Sequence, residues 1–161
     1  MYRKTGEPDD QRQAEKIALG LLARREHSRL ELQTKLRQRG FERSCIDPVL
    51  DRLVEQGWQS DVRYAESYLR MRVDRGYGLA AIEAELRQRG VDPSLIHRSV
   101  AAAEVDWLAC AQRQVRRHFQ IPPEDAAEKL RRYRHLLNRG FSPDEASSAS
   151  AAWAEDPVDP T

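Results

Sequence analysis

An all-α fold, laid out as an elongated tandem array of three three-helix repeats, is what three features of this 161-residue sequence predict. A near-identical phrase recurs at a fixed interval. Leu36–Gly40 and Leu86–Gly90 both read Leu-Arg-Gln-Arg-Gly, and Leu136–Gly140 reads Leu-Leu-Asn-Arg-Gly, so the glycines at 40, 90 and 140 stand fifty apart. Charged residues make up 33% of the chain against only eight Gly and eight Pro, a balance that favours helices with charged surfaces over short strands joined by turns. Around each glycine the apolar residues recur every three or four positions, which is the helical period. A unit of fifty residues lies near the lower limit for an independent core, so the copies are expected to stack and share apolar faces.

Residues 1–10 are polar and interrupted by Pro8, and read as a disordered lead. The first repeat, 11–57, opens with a helix over about Gln11 to Arg25 that carries Ile17, Leu21 and Leu22 at helical spacing. Ser28-Arg-Leu-Glu31 is a capping box, starting a second helix with Leu32 and Leu36 on one face and a left-handed stop at Gly40. A third helix runs from about Arg43 to Gln56, with Ile46, Val49, Leu50, Leu53 and Val54 facing inward. Pro48 lies inside it and is a candidate kink, tolerated best if the helix begins near Ser44.

The second repeat, 58–105, opens with Ser60-Asp61 as cap and a helix to Arg75. Val62, Ala65, Leu69 and Val73 form one of its faces and Tyr64, Tyr68 and Met71 roughly the opposite one, so it requires cover on two sides. Gly76-Tyr-Gly78 breaks the chain, Ile82 and Leu86 repeat the places of Leu32 and Leu36, and Asp92-Pro93 reads as N-cap and first helical residue of a helix burying Leu95, Ile96 and Val100. The third repeat, 106–154, runs from Trp107 through Val115 to Phe119, breaks at Ile121-Pro-Pro123 and restarts to Asn138 with Leu130, Tyr133, Leu136 and Leu137. Its apolar register reads as slipped, because Arg132 stands where Leu32 and Ile82 stood. Ser142-Pro-Asp-Glu145 is a further capping box before an Ala/Ser-rich helix that includes Trp153, and 155–161 is an acidic, Pro-rich tail. Phe41, Val91 and Phe141, each directly after a corner glycine, are expected to pin the corners.

The formal net charge of +1 conceals an uneven spread: Arg12–Arg43 holds nine Lys/Arg against four Asp/Glu, whereas five acids and no base follow from Asp144 onward. Cys45 and Cys110 sit in apolar company without C-x-x-C spacing and read as reduced, packed thiols. No run approaches the ~20 apolar residues of a membrane span, and the first residues lack the apolar core of a secretion signal, so a cytoplasmic location is expected. Chemistry is not advertised. His27, His97, His118 and His135 form no H-E-x-x-H or Cys/His ligand spacing and read as surface or boundary residues, and Gly76-Tyr-Gly78 has no Lys after it to cradle a phosphate. No catalytic residue, cofactor or metal is therefore expected.

Arginine is the informative polar residue, at 23 against four lysines in the sequence. Arg39, Arg89 and Arg139 precede the corner glycines, where the helix dipole favours a cation. Arg37 and Arg87 fall about 140° around the helix from Leu32 and Ile82, on the solvent side. Arg63 and Arg70 share a face with Glu66 and Asp74, and Arg116-Arg117 and Arg131-Arg132-Tyr133-Arg134 form two basic clusters in the third repeat.

In these residues the chain resembles the RecX family, small bacterial regulators of the RecA recombinase, over almost everything from Ala14 to Ala152. The stretches that carry it are LLARREHSRLELQTKLRQRGF from Leu21, LVEQGWQSDVRYAESYLRMRVDRGYG from Leu53, IEAELRQRGV from Ile82 and LLNRGF from Leu136, while Pro48 and the Ala/Ser-rich final helix depart from the pattern. The resemblance implies a curved array of three-helix repeats that binds in the groove of the RecA nucleoprotein filament and lowers its ATP hydrolysis, strand exchange and coprotease activity. It further implies a monomer with weak single- and double-stranded DNA binding, and no membrane partner. Arg37, Arg87, Arg70, Arg72, Arg116, Arg117, Arg131, Arg132 and Arg134 are then the candidate contacts to filament or nucleic acid. Two other readings stand beside this one. A helix-turn-helix-like repeat could act directly on DNA, although the second helices carry Leu and Glu more than base-reading side chains. A general protein-interaction solenoid with another helical partner fits the same pattern.

Overall fold

The structure, a computed structural model, describes residues 9–151. Among the described residues are nine α-helices and no strand: α1 Gln11–Leu22, α2 Arg29–Gln38, α3 Arg43–Glu55, α4 Asp61–Asp74, α5 Leu79–Gln88, α6 Pro93–Ala103, α7 Trp107–Phe119, α8 Ala126–Asn138 and α9 Pro143–Ala151. They group by threes, as the repeat demands. Most of the lead, the acidic tail and Trp153 lie outside the described residues.

The first repeat forms as its caps dictate. Asp10 accepts the Gln13 N–H at 3.0 Å to start α1, which closes at Leu22, three residues short of the expected Arg25. The turn comes early because His27 and Ser28 are drawn into the interior, at 2% and 0% exposure. Ser28 Oγ accepts from the Glu31 N–H at 3.1 Å while the Glu31 carboxylate accepts from the Ser28 N–H at 3.2 Å, so the capping box is complete. Gly40 adopts φ 96° and the Phe41 N–H returns to the Leu36 carbonyl at 3.3 Å, closing α2 in the left-handed manner that a residue without Cβ permits. Helix α3 begins at Arg43, as read from the sequence, and continues through Pro48 to Glu55. Its buried face is Cys45, Ile46, Val49, Leu50 and Leu53, whereas Val54 points outward at 45% exposure, a correction to the expected inward face.

By its internal contacts the chain divides into two compact units, one comprising the chain to Tyr68 with Leu86–Ala103, the other Leu69–Glu85 with the chain from Glu104. The middle repeat is thus shared between them, α4 and α5 each contributing one part to either unit. The core of the first unit gathers Ala14, Ala18, Leu32, Leu36, Phe41, Ile46 and Leu50, all buried. The core of the second gathers Cys110, Ala111, Val115, Leu136, Phe141, Ala146 and Ala149. The Ala/Ser composition of α9 serves close approach there, because Ala146, Ala149 and Ser150 are the buried positions of a helix packed on α7 and α8.

The register of the third repeat is not slipped. Leu32, Ile82 and Arg132 are all buried, as are Leu36, Leu86 and Leu136, so Arg132 occupies the aliphatic position of the other two repeats. Phe41, Val91 and Phe141 are buried at the corners as expected.

Each unit also contains a joint at which the end of one repeat's second-helix loop meets the next repeat's corner. In the first unit Ser28 Oγ donates to the Arg89 carbonyl at 2.7 Å, and a Cβ added to Gly90 would lie 2.7 Å from Leu30 Cβ. In the second unit the Gly78 N–H donates to the Arg139 carbonyl at 2.8 Å and the Ala80 N–H to the Gly140 carbonyl at 3.1 Å, while a Cβ on Gly140 would lie 2.5 Å from Ala81 Cβ. Ser28 and Gly78 are fifty residues apart, as are Gly90 and Gly140. The corner glycine therefore ends one helix and makes room for another repeat.

Candidate functional site

The second unit holds most of the candidate cations. Arg70 on α4, Arg117 on α7 and Arg131 and Arg134 on α8 are exposed, and Arg116 is half-buried. Arg117 Nη1 donates to the Asp74 carbonyl at 3.0 Å, and Arg131 pairs with Glu128 at 2.8 Å while keeping 65% of its side chain exposed. Arg70, Arg117 and Arg134 make no ion pair among the described residues.

Two candidates are structural instead of presented. Arg132 is fully buried: its Nη2 donates to the Ile121 carbonyl at 2.8 Å and lies 3.3 Å from Glu128, with its guanidinium 4.9 Å from the centre of the Phe119 ring. Its aliphatic stem fills the space that leucine and isoleucine fill in the other repeats, which removes it from any outward role. Arg72 is half-buried, pairs with Glu85 and lies 3.5 Å over the Tyr77 ring. A second cation on that ring is Arg139, at 4.6 Å, whose Nη1 also donates to the carbonyls of Arg75 at 2.9 Å and Gly76 at 3.3 Å. Sequence reasoning gave Arg139 only the dipole role at the end of α8; bonds reaching more than sixty residues back have no local signature.

The same region contains a ring cluster. His118 and His135 stack at 4.1 Å with 18° between planes, Phe119 meets both edge-on, and the Arg131 guanidinium lies 5.5 Å from the Phe119 centroid. His135 Nε2 is 3.1 Å from Gln114 Nε2. Burial, then the charges of His118 and Arg139, push the His135 imidazole down to about 4.

In the first unit Arg37 and Arg87 are both exposed, as their place on the helices predicts. Arg37 makes no ion pair among the described residues, whereas Arg25–Glu31, Arg29–Asp51, Arg43–Asp47 and Arg63–Glu26 are matched pairs at 3.2, 2.7, 3.1 and 2.9 Å. His27 departs from the expected surface position. It is buried, its Nδ1 lies 3.0 Å from the Arg25 carbonyl, and its Nε2 lies 3.1 Å from Lys35 Nζ. Since a carbonyl only accepts and an ammonium only donates, the ring is neutral with the proton on Nδ1. Burial lowers its affinity for a proton, and the charges of Arg25 and Lys35 add to that. Burial and the Arg25 charge lower Lys35 as well. Both thiols are free and buried, and burial pushes each upward. Among the described residues no three His, Cys, Asp or Glu side chains gather where they could hold a metal, and no helix is long and apolar enough to cross a membrane.

Compared with known proteins, the chain matches the family profiles of the first, second and third three-helix domains of RecX over residues 14–53, 60–99 and 104–149. A curated relative named regulatory protein RecX from Halorhodospira halophila is 46% identical over 140 residues, which is 86% of this chain and 87% of the relative. This chain belongs to the RecX family. A second RecX, from Pseudomonas entomophila, is 47% identical over 128 residues, covering 79% of this chain and 83% of that protein. Among solved structures, a crystal structure of regulatory protein RecX superposes with a TM-score of 0.74 at 22% identity, covering 88% of this chain and 73% of that one. RecX from Lactobacillus salivarius superposes at 0.73 and 21% identity, covering 88% and 94%. At those identities the two structures speak for the RecX fold alone. The three RecX domains coincide with the three helix triplets, so the departures at Pro48 and in α9 are local variations within that fold.

Proposed function

We propose that this RecX-family chain is a non-enzymatic cytoplasmic regulator, acting as a monomer, that binds the RecA nucleoprotein filament and lowers its ATP hydrolysis, strand exchange and coprotease activity. The observation that carries the reading is the match to all three RecX domains in order, along most of the chain. The physical support is a set of outward cations, Arg37 and Arg87 in one unit and Arg70, Arg117, Arg131 and Arg134 in the other, suited to an acidic protein surface or to phosphate. Many modest contacts with a repeating polymer sum to high avidity without any deep pocket. Arg132 and Arg72 have no part in this contact.

Reversing Arg37, Arg87 and Arg131 to Glu together is expected to weaken filament binding and relieve the inhibition of ATP hydrolysis while the far-ultraviolet circular dichroism stays unchanged. Full inhibition by that folded variant defeats the reading. Direct action on DNA is the second reading, favoured by the exposed Arg117 of α7 and Arg134 of α8. In it, duplex binding without recombinase is tight, steeply salt-dependent and selective for sequence.

A further inference from the structure

The chain has four lysines, Lys4, Lys16, Lys35 and Lys129, and Lys35 is placed unlike the other two that the structure describes. Lys16 on α1 and Lys129 on α8 are exposed. Lys35 is half-buried on α2, with its Nζ 3.1 Å from His27 Nε2. That imidazole is buried and keeps its proton on Nδ1, against the Arg25 carbonyl at 3.0 Å, so the nitrogen facing Lys35 offers a lone pair. Around the ammonium, the like charges of Arg24, Arg25 and Arg39 oppose the one carboxylate of Glu31, which Arg25 and the Ser28 N–H already engage. Arg39 is held close by donating from Nη1 to the Lys35 carbonyl at 3.0 Å. Burial first, and then the Arg25 charge, makes this ammonium release its proton more readily than an ordinary lysine.

Lys35 also lines a cavity of about 230 Å³, together with Leu30, Thr34, Gln38, Gln88 and Arg89. The Arg89 guanidinium is placed there by the Tyr68 ring, 4.7 Å from its centre. An amine next to a base and to other cations is an activated nucleophile, and a guanidinium in the same recess matches the planar oxygens of a phosphate. We infer that Lys35 is a site of acylation by small acyl phosphates, with His27 as the base that takes the ammonium proton and Arg89 as the group that holds the phosphate. Lys35 Nζ passes one proton to His27 Nε2, and the electron pair so freed attacks the acyl carbon. The N–C bond forms and the bond from that carbon to the bridging oxygen breaks. The phosphate leaves with the electron pair of the broken bond and takes the second proton of the nitrogen, and His27 returns its own to water. The product is a neutral amide, so of the two cations in the last turn of α2, Lys35 and Arg37, only Arg37 keeps its charge.

The test uses the full chain without recombinase, so its failure leaves the recombinase reading untouched. The chain is incubated with acetyl phosphate at neutral pH, and acetylation of each lysine is followed by peptide mass spectrometry, with Lys16 and Lys129 as internal references. Lys35 is expected to react about 10-fold faster than either. Inorganic phosphate should slow Lys35 toward acetyl phosphate and leave its reaction with the uncharged ester para-nitrophenyl acetate unchanged, since only the first donor needs the guanidinium. Arg89→Gln should reproduce that split between donors. His27→Gln should bring Lys35 down to the rate of Lys16 with both donors, with circular dichroism confirming the fold. The comparison of lysines and the phosphate competition use the intact chain, so they decide the case even where the His27 variant does not fold. Equal rates at Lys35 and Lys16 in the intact chain overturn the inference, as does an undiminished Lys35 rate in folded His27→Gln. A phosphate effect that is missing, or the same for both donors, overturns it as well.

Discussion

Arg132 is a cation in a place built for an aliphatic side chain, held there by the Ile121 carbonyl, Glu128 and the face of Phe119. Truncation and hydrophobic replacement should therefore diverge. Arg132→Ala empties the site and releases Glu128, and is expected to cost about 3 kcal/mol in urea unfolding. Arg132→Leu, the residue at the equivalent position of the first repeat, is expected to cost much less, because burying a charge is expensive to begin with. The buried His27 and half-buried His135 contribute to the loss of stability in acid. In the folded chain His27 and His135 hold protons less readily than the ordinary histidine of an unfolded chain near 6.5. Below that value the unfolded state binds more protons, so stability is full above about 6.5 and falls as the pH drops. For His135 the window runs from 6.5 to about 4. The urea midpoint should drop between about pH 7.5 and about pH 5, and the double variant His27→Gln, His135→Gln should flatten that drop. At this scale the sequence was legible where chemistry is local: Ser28 with Glu31, Asp92 with Pro93, and Ser142 with Glu145 all cap as read. It put Arg132 among the outward contacts and His27 at the surface or boundary, whereas both are buried, because charge and polarity say where a residue prefers to be, not which neighbour will satisfy it inside.

Among elements, the helices are fixed by caps and the repeats by joints. Ser28 serves both, accepting the Glu31 N–H at 3.1 Å and donating to the Arg89 carbonyl at 2.7 Å. Ser28→Ala is thus expected to cost about 2 kcal/mol, the sum of a lost cap and a lost buried hydrogen bond, and to speed amide exchange in both α2 and the Gly90 corner. The glycines separate conformational cost from space. Gly57 has φ 76° with nothing within 4 Å of an added Cβ, so Gly57→Ala should show only the left-handed strain of about 1 kcal/mol. Gly140 has φ 88° and Ala81 at 2.5 Å, so Gly140→Ala should cost clearly more, and the difference in unfolding free energy reports the joint. The fifty-residue interval of the glycines was visible in the sequence, and the helix ends followed from it. The joints were not read, though the parallel spacing of Ser28 and Gly78 was the available signal. What hid them is that Ser28 uses a hydroxyl and Gly78 a backbone N–H, so the two seams share geometry without sharing a side chain.

For the whole molecule the consequence is that repeats and compact units do not coincide. Leu69–Glu85 belongs with the chain from Glu104, through the Gly78–Arg139 bond and the Arg139 contacts to Arg75, Gly76 and Tyr77. A chain ending at Ala103 keeps every partner of the first unit and none of these. Hydrogen exchange of that truncation is expected to show faster amides over 69–85 with unchanged protection over 28–53; equal protection in both segments would contradict the division. The candidate surface was the least legible part of the sequence, since Arg37, Arg87 and Arg134 face outward as helical spacing implies, whereas Arg72 and Arg132 do not, and only packing separates them.

The two seams also write a direction and an order into the protein. Leu30 lies against Gly90, but at the later seam small Ala80 and Ala81 meet Gly140. Shuffling the modules would bring Leu30 and Glu31 to a gap cut for alanine, so although the three look like copies, none could trade places with another.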